Sequence, residues 1–363
     1  MFNHFPFYKY LLYGLDRKTN SINISPLSVV FVTTWKCNAK CKTCFIWRNH
    51  PPQIPELSLK EYQHILKSMD KTYWVTVGGG EPFLRKDFTD IVLNICRYLK
   101  PKIVNIPSNG SLPGIIQGAV RELVRFYPDT QFILNISLDH IGEEHDKIRG
   151  AQGSFGLVCN TVDKLRSLKR DNLSIGIHTV ISKHNLADFP HIYQWINNNL
   201  KPDSYIIEDA QIREEFMNQD EVFFENPSDY LKAVKFYLEK IKSTRMSGID
   251  RLRKAFRIVY YKSVRDSFLT GKAPYHCYAG YAACQINPDA EVWTCATKGY
   301  KMGNLRDYGY NFRKLWRCRQ ARLARRRIKD TKCSCHLSNA SYTNMLLNPG
   351  KLASVLLNYI YYH

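Results

Sequence analysis

Between residues 29 and 209 short β-branched runs alternate with longer amphipathic stretches, and this alternation limits the fold more than any other feature of the chain. The strand candidates are VVFVTTW (Val29 to Trp35), TYWVTV, KIVNIP, QFILNISL, LSIGIHTV and SYIIED. Between them SLKEYQHILKSM, RKDFTDIVLNICRYLK, Pro113 to Phe126, Phe155 to Leu168 and LADFPHIYQWINNN carry helical periodicity. Strands spaced by helices predict parallel βα units, which right-handed crossovers wind into an α/β barrel or part of one. Six units make a partial (β/α)6, TIM-like barrel, with the chemistry expected at the carboxyl ends of the strands.

Composition divides the rest. Residues 1–28 are aromatic and basic, with Phe2, Phe5, Phe7, Tyr8, Tyr10 and Tyr13 ahead of Arg17 and Lys18. The barrel takes 29–226 and a charged helical connector 227–276. The turn-rich stretch 277–336 holds six of the eleven cysteines and reads as a second, smaller metal-bearing domain. In the tail, 337–363, the closing run MLLNPGKLASVLLNYIYYH has one charged residue, Lys351. No apolar run reaches the ~18 residues of a membrane-spanning helix. The N-terminus lacks the segments of a secretory signal. A cytoplasmic chain is expected, in which cysteines read as metal ligands rather than a disulfide framework.

CNAKCKTC places Cys37, Cys41 and Cys44 as C-x3-C-x2-C directly after the first strand. Three thiolates on one loop can hold three irons of a [4Fe–4S] cubane and leave the fourth iron open, whereas a closed electron-transfer cluster takes four. Completed by His50, the same residues also suit zinc, and reactive surface thiols are a third reading. Later strand ends carry small or polar groups: Gly78-Gly79-Gly80-Glu81-Pro82, then Ser108-Asn109-Gly110, then Ser137-Leu138-Asp139. The glycines let backbone approach a ligand closely.

Together these motifs resemble the radical S-adenosylmethionine (SAM) superfamily, over most of the chain. The resemblance implies that Cys37, Cys41 and Cys44 ligate a [4Fe–4S] cluster whose open iron chelates SAM. Gly79, Gly80, Glu81 and Pro82 would receive the methionine amino group. Ser108 and Asn109 would lie near the methionine and ribose, Ser137 and Asp139 on the ribose side, and Val180 and Asn185 at the adenine. His145, Asp146, Arg149 and Gly150 match an HD-x-x-RG segment frequent in one subgroup. The family often has an aromatic residue just before the third cysteine; here Thr43 stands there, with Phe45 on the other side. The implied reaction is reductive cleavage of SAM to a 5′-deoxyadenosyl radical that abstracts hydrogen from carbon. Its implied partner is a one-electron reductant of ferredoxin or flavodoxin type, and cluster potentials down to roughly −700 mV suit the task.

Cys277, Cys284 and Cys295 flank a hairpin candidate with its turn at Pro288-Asp289-Ala290. Met302-Gly303-Asn304-Leu305, a helix around Phe312 to Ile328 and Cys333-Ser334-Cys335 follow. This resembles the C-terminal extension of SPASM and twitch radical SAM enzymes. It implies one auxiliary [4Fe–4S] cluster on Cys277, Cys295, Cys333 and Cys335, in a small twitch/SPASM-like domain. Ala290 replaces the usual glycine, the late pair is C-x-C rather than C-x2-C, and His336 is an alternative to Cys335. Structural zinc is the rival reading. Cys284 and Cys318 are left over and, like Cys96 and Cys159, read as buried thiols.

Lys plus Arg (52) exceeds Asp plus Glu (32) by 20, which suggests an anionic partner. From Arg313 to Lys332 ten basic residues face one acid, Asp330, and the plain reading is a solvated basic face. No nucleic-acid module accompanies the charge, so nucleic acid is not expected. The expected partners are an anionic substrate and, through the aromatic N-terminus and apolar tail, an anionic membrane surface. Sugars, polyols, lipid-linked compounds and peptides all remain open as substrates. Peptides are disfavoured because no leader-binding module is evident at the N-terminus. His178, Glu208 and Asp209, at later strand ends, are candidate catalytic proton acceptors or anchors, with a salt-bridged rim as the alternative. A non-catalytic iron–sulfur carrier with a vestigial SAM site is the competing function.

Overall fold

Six parallel strands follow one another in sequence order: β1 (Ser28–Val32), β2 (Trp74–Gly78), β3 (Ile103–Ser108), β4 (Gln131–Ser137), β5 (Leu173–Ile181) and β6 (Ser204–Asp209). Burial on both faces explains the near-continuous apolar run SVVFV of β1, whereas β4 alternates buried and partly exposed positions. In this computed structural model residues 7–48, 54–331, 333 and 335–362 are described. Phe2, Phe5 and the proposed zinc ligand His50 lie outside them. The described residues begin with α1 (Phe7–Thr19), and the connecting helices are α2 (Leu59–Lys67), α3 (Phe88–Leu99), α4 (Pro113–Phe126), α5 (Gly142–Arg149), α6 (Ser154–Arg166) and α7 (Phe189–Trp195). A reciprocal box starts α2: Ser58 accepts from the Glu61 amide and Glu61 from the Ser58 amide. The short α5 is absent from the periodicity.

The region 277–336, expected as a small C-terminal domain, adds three strands to the barrel sheet. The strand β7 (Ala283–Ile286) pairs in parallel with β1, and β8 (Glu291–Trp293) and β9 (Lys301–Asn304) follow antiparallel. The order is β6-β5-β4-β3-β2-β1-β7-β8-β9 in one sheet. Cys284, Ile286, Val292 and Met302 join the same core as β1 to β6. The reason is the free edge of β1, whose unpaired backbone groups β7 satisfies. The turn before β8 holds Ala290 at φ +72°, fully buried, in a conformation that costs an L-residue about 1–2 kcal/mol.

The opposite edge, β6, is covered by α8 (Tyr230–Ser243) and α9 (Gly248–Thr270), the charged connector of the sequence. The Tyr261 hydroxyl accepts from the Ile207 amide and donates to the Ile207 carbonyl, both at 2.9 Å. The Tyr237 hydroxyl donates to the Tyr205 carbonyl. The helix expected around Phe312 to Ile328 is broken into α10 (Phe312–Trp316) and α11 (Arg319–Asp330), because Cys318 caps α11 by accepting from the Ala321 amide. The basic run is not wholly solvated. Arg325 is fully buried, donates to Gly280 O, Asn23 Oδ1 and Trp316 O, and lies 4.4 Å from the Trp316 ring.

The tail forms α12 (Ser338–Leu346) and α13 (Pro349–Tyr361). Helix α12 crosses the open side of the barrel. Its Ser338 amide donates to Glu208 of β6, and its Tyr342 ring stacks 6.4 Å from Trp74 of β2 and 5.5 Å from Tyr260 of α9. Helix α13 packs on α9 and leaves Leu356, Leu357, Ile360 and Tyr361 exposed. Tyr13 of α1 is buried with Leu27, Tyr281 and Leu347, and Arg17 donates to the Cys277 carbonyl at 2.9 Å. No described helix is long and apolar enough to cross a membrane.

Candidate active site

The cysteine loop leaves β1 and is fixed by backbone on two sides. Thr33 N donates to Gly78 O at 2.7 Å, Gly80 N to Thr34 O at 2.9 Å, and Glu81 N to Lys36 O at 2.8 Å. A Cβ on Gly79 would stand 2.4 Å from Thr34 O, and one on Gly80 2.2 Å from Lys36 O. The close approach that requires glycine here is therefore to the cysteine loop itself. On the other side Lys40 N donates to Arg149 O at 3.0 Å and Lys42 N to Ile148 O at 2.9 Å. The HD-x-x-RG segment thus cradles the loop from the end of α5, while Asp146 accepts from Gly153 N, Ser154 Oγ and Phe155 N at the start of α6. Glu56 accepts from Thr34 Oγ1 (2.7 Å) and Trp35 N (3.0 Å), and Arg85 donates to Thr33 O (2.8 Å). Sequence reasoning missed both, because charged residues in loops carry no periodic signal.

Cys37, Cys41 and Cys44 line one cavity of about 420 Å³. Burial raises all three thiol pKa values, that of Cys37 to about 11, so a metal must displace their protons. At Cys41 burial is opposed by Arg149, whose Nη1 lies 3.7 Å from the sulfur. Burial works against the charge on Arg149, but Asp139 and Cys41 outweigh it. Asp139 Oδ2 stands 2.8 Å from Arg149 Nε, outside hydrogen-bond geometry, so Nε and Nη2 are buried donors without a hydrogen-bond partner. Among the described residues no three ligating side chains converge on a single-ion point. A cubane asks instead for one thiolate at each of three irons. Three thiols on one wall beside a fixed guanidinium with spare donors fit an anionic cluster of that kind.

Glu81 is fully buried. Its carboxylate accepts from Ser108 Oγ (3.0 Å), Phe83 N (3.3 Å) and Asn109 N (2.7 Å). Burial pushes its pKa up to about 7 despite those bonds, so a neighbouring ammonium would restore its charge. Pro82 opens the short turn that Glu81 caps. Asn109 Nδ2 donates to Asn38 Oδ1 at 2.8 Å, tying the end of β3 to the cysteine loop. Gly79, Gly80, Ser108, Asn109, Ser137 and Val180 line the cavity.

Asp139 and Asn185 lie one layer behind that wall. Asp139 Oδ1 accepts from Val180 N at 2.8 Å, and Asn185 Nδ2 donates to the carbonyls of Asp139 and Val180, each at 2.9 Å. Through these bonds they hold Val180, which lines the cavity. His145 accepts from Asp139 N, and burial lowers its pKa to about 4, leaving it neutral. Thr43 lines the cavity, whereas Phe45 is buried beside Trp47, ring centroids 6.3 Å apart.

His178, Glu208 and Asp209 line the same cavity. Glu208 lies 3.2 Å from His178 Nε2 and 3.5 Å from Arg213 Nη2, and accepts from Ser338 N at 2.5 Å. Burial pushes its pKa up, but these partners outweigh burial and hold it at about 2. Glu208 is therefore a clamped anion rather than a ready proton acceptor. Asp209 accepts from Gln211 (2.8 Å) and stands 3.5 Å from His336 Nδ1, while His336 Nε2 is 3.3 Å from Ser267 Oγ. Both His336 nitrogens are thus engaged away from the cysteines. Arg213 escaped sequence reasoning, although its place just past a strand end was a usable signal.

Cys277, Cys295 and Cys335 lie within electrostatic reach of one another. Cys333 hydrogen-bonds Cys335, and that bond lowers the Cys333 pKa. Three amides point at sulfurs: Ala279 N at Cys277 (3.5 Å), Lys298 N at Cys295 (3.4 Å) and Leu337 N at Cys335 (3.4 Å). Such donors favour anionic sulfur, and hydrogen bonds to sulfur tune iron–sulfur clusters. Cys295 also lines the cavity of the first cysteine set. Cys284 and Cys96 are buried, Cys159 is half-buried, and Cys318 serves as the cap of α11.

Residues 31–196 match the family model described as the Radical SAM superfamily. The antilisterial bacteriocin subtilosin biosynthesis protein AlbA of Bacillus subtilis (strain 168) is 25% identical over 332 residues, which cover 85% of this chain and 65% of that protein. The sporulation killing factor maturation protein SkfB of the same strain is 23% identical over 282 residues, 77% of this chain and 62% of that protein. This chain spans less than two thirds of the length of the curated relatives it matches first. Among solved structures, Streptococcus suis SuiB bound to S-adenosylmethionine superposes with a TM-score of 0.61 at 16% identity, over 93% of this chain and 77% of that one. That likeness concerns the fold, a partial barrel with a C-terminal extension.

Proposed function

We propose, from the premise that residues 31–196 are a radical SAM domain with a [4Fe–4S] cluster and SAM as its cofactors, that this enzyme abstracts hydrogen from a carbon of a peptide. One observation carries the reading: the thiols of Cys37, Cys41 and Cys44 open onto the cavity that Cys295 of the second set also lines. The bound cofactors supply a carbon radical strong enough to break an unactivated C–H bond. Cys37, Cys41 and Cys44 would hold the cluster, Arg149 would balance negative charge at Cys41, and Glu81 would take the SAM ammonium. Asp139 and Asn185 would keep Arg149 and Val180 in place. Glu208 would orient His178 and Arg213 on the cavity wall, and α12 across the open side would exclude water. Cys277, Cys295, Cys333 and Cys335 would hold an auxiliary [4Fe–4S] cluster, and an external one-electron donor would supply the reductant.

The peptide preference comes from the names of AlbA and SkfB, a bacteriocin biosynthesis protein and a killing-factor maturation protein, whose matches span most of this chain. It outweighs the sequence expectation against peptides, which rested on the N-terminus alone. Anaerobically reconstituted protein given SAM and dithionite is expected to form 5′-deoxyadenosine and to shift its cluster resonance when SAM is added. Absence of both would overturn the enzyme reading. Iron analysis is expected to find about eight irons per chain, two cubanes; about four with one zinc would reject the auxiliary cluster.

A further inference from the structure

Helix α9 contributes Leu252, Arg253, Phe256 and Arg257 to the cavity wall. Most guanidiniums on that wall have an acid of their own. Arg253 pairs with Asp250 at 2.9 Å, Arg213 with Glu208 at 3.5 Å, and Arg149 with Asp139 at 2.8 Å. Arg257 differs: among the described residues no carboxylate pairs with it. Its polar neighbours are the hydroxyls of Tyr237 and Tyr342, with Tyr261 nearby, and its Nε is buried without a hydrogen-bond partner. Burial disfavours the charge, but a guanidinium is too basic to give up its proton, so the side chain stays cationic. A partly buried cation with no counter-ion carries a desolvation cost that a bound anion offsets. The planar guanidinium offers parallel N–H donors that match a carboxylate or a phosphate. Tyr342 cannot easily yield, because its ring is stacked between Trp74 and Tyr260.

We propose that Arg257 anchors an oxyanion of the substrate, a carboxylate or phosphate, in the cavity lined by Cys37, Cys41, Cys44 and Cys295. The inference rests on the enzyme reading above and adds to it the chemical class of group the substrate must carry. Tyr237 and Tyr342 act as positioning residues that set the plane of the guanidinium.

The test is calorimetric titration of the anaerobically prepared protein with SAM saturating, so that the carboxylate of SAM is already placed. The probes are acetyl-triglycine as the free acid, its C-terminal amide, and inorganic phosphate. The acid or phosphate is expected to bind at least tenfold more tightly than the amide, and Arg257→Gln to weaken that anion at least tenfold. Whichever anion binds more tightly identifies the source. Equal binding of acid and amide without phosphate binding, no binding of either anion in the presence of SAM, or unchanged binding by Arg257→Gln each overturns the proposal. If Arg257→Gln does not fold, the wild-type acid-to-amide ratio and Arg257→Lys decide. That variant keeps the charge but loses the fork, so severalfold weaker binding supports the anchor and unchanged binding rejects it. Because the titration does not depend on SAM cleavage, failure to form 5′-deoxyadenosine and failure to bind an anion are separate results.

Discussion

The two cysteine sets, of which the first and Cys295 of the second line one cavity, are assembled by different routes. Cys37, Cys41 and Cys44 come from a single loop, seated by backbone bonds to Gly78, Thr34, Lys36 and the end of α5, with the Arg149 guanidinium beside Cys41. Cys277, Cys295, Cys333 and Cys335 come from separate stretches, brought together because β7 joins β1 and because α11 leads the chain back. Backbone amides face sulfurs in both sets, and the first adds the Arg149 guanidinium at Cys41. A local motif gains its geometry from its own short loop. A dispersed one depends on every element between its members.

The sharpest test of this contrast is a pair of ligand variants. Cys41→Ala is expected to lower 5′-deoxyadenosine formation more than about 1000-fold, since the electron source of the cleavage is lost. Cys295→Ala is expected to remove the other irons while leaving cleavage of SAM within about tenfold. Equal losses, read by product assay and iron count, would break the contrast.

Gly80→Ala should separate the sets through packing. The added Cβ would meet Lys36 O at 2.2 Å, so the cysteine loop must move, at a cost of about 3 kcal/mol in a thermal or denaturant melt. The Cys37–Cys44 cluster is expected to be lost first, and retention of both clusters in iron analysis would contradict the seating described.

Glu208 links the wall to the second set, because Ser338, whose amide it accepts, follows Cys335 by three positions. Its pKa is depressed from 4.5 to about 2, so the stability it contributes is complete above about pH 4.5 and is lost as pH falls toward 2. Glu208→Gln is expected to cost roughly 3 kcal/mol at pH 7, with the gap to wild type closing through that window. A gap that does not change with pH would remove the charge from the explanation.

The smallest effect belongs to the hairpin under the second set. Ala290→Gly relieves about 1–2 kcal/mol of left-handed strain and loses a buried methyl worth about 0.8 kcal/mol. A net gain of about 0.5 kcal/mol is expected, and a measured loss would mean that packing outweighs the backbone term.

Much of the barrel was legible because parallel strands packed under helices leave unmistakable apolar runs, and Pro113 to Phe126 matches α4 to the residue. The short α5 was not, since its sequence, GEEHDKIR, is too polar to show a periodic face. Gly79 and Gly80 were visible as glycines, but only the fold reveals that what they approach is the carbonyls of Thr34 and Lys36. The single helix read across Phe312 to Ile328 fails at Cys318, where a side-chain cap restarts the helix.

Residue order alone determined the βα alternation, the three thiols after β1 and the acid and polar groups at later strand ends, because each is a pattern within a few residues. Tertiary structure alone decided that β7 continues the barrel sheet, that α12 closes its open side, and that Arg257 lines the cavity with tyrosines and, among the described residues, no paired acid. Pairing at a sheet edge and compensation of a buried charge depend on which distant segments meet. No local pattern in a chain encodes that meeting.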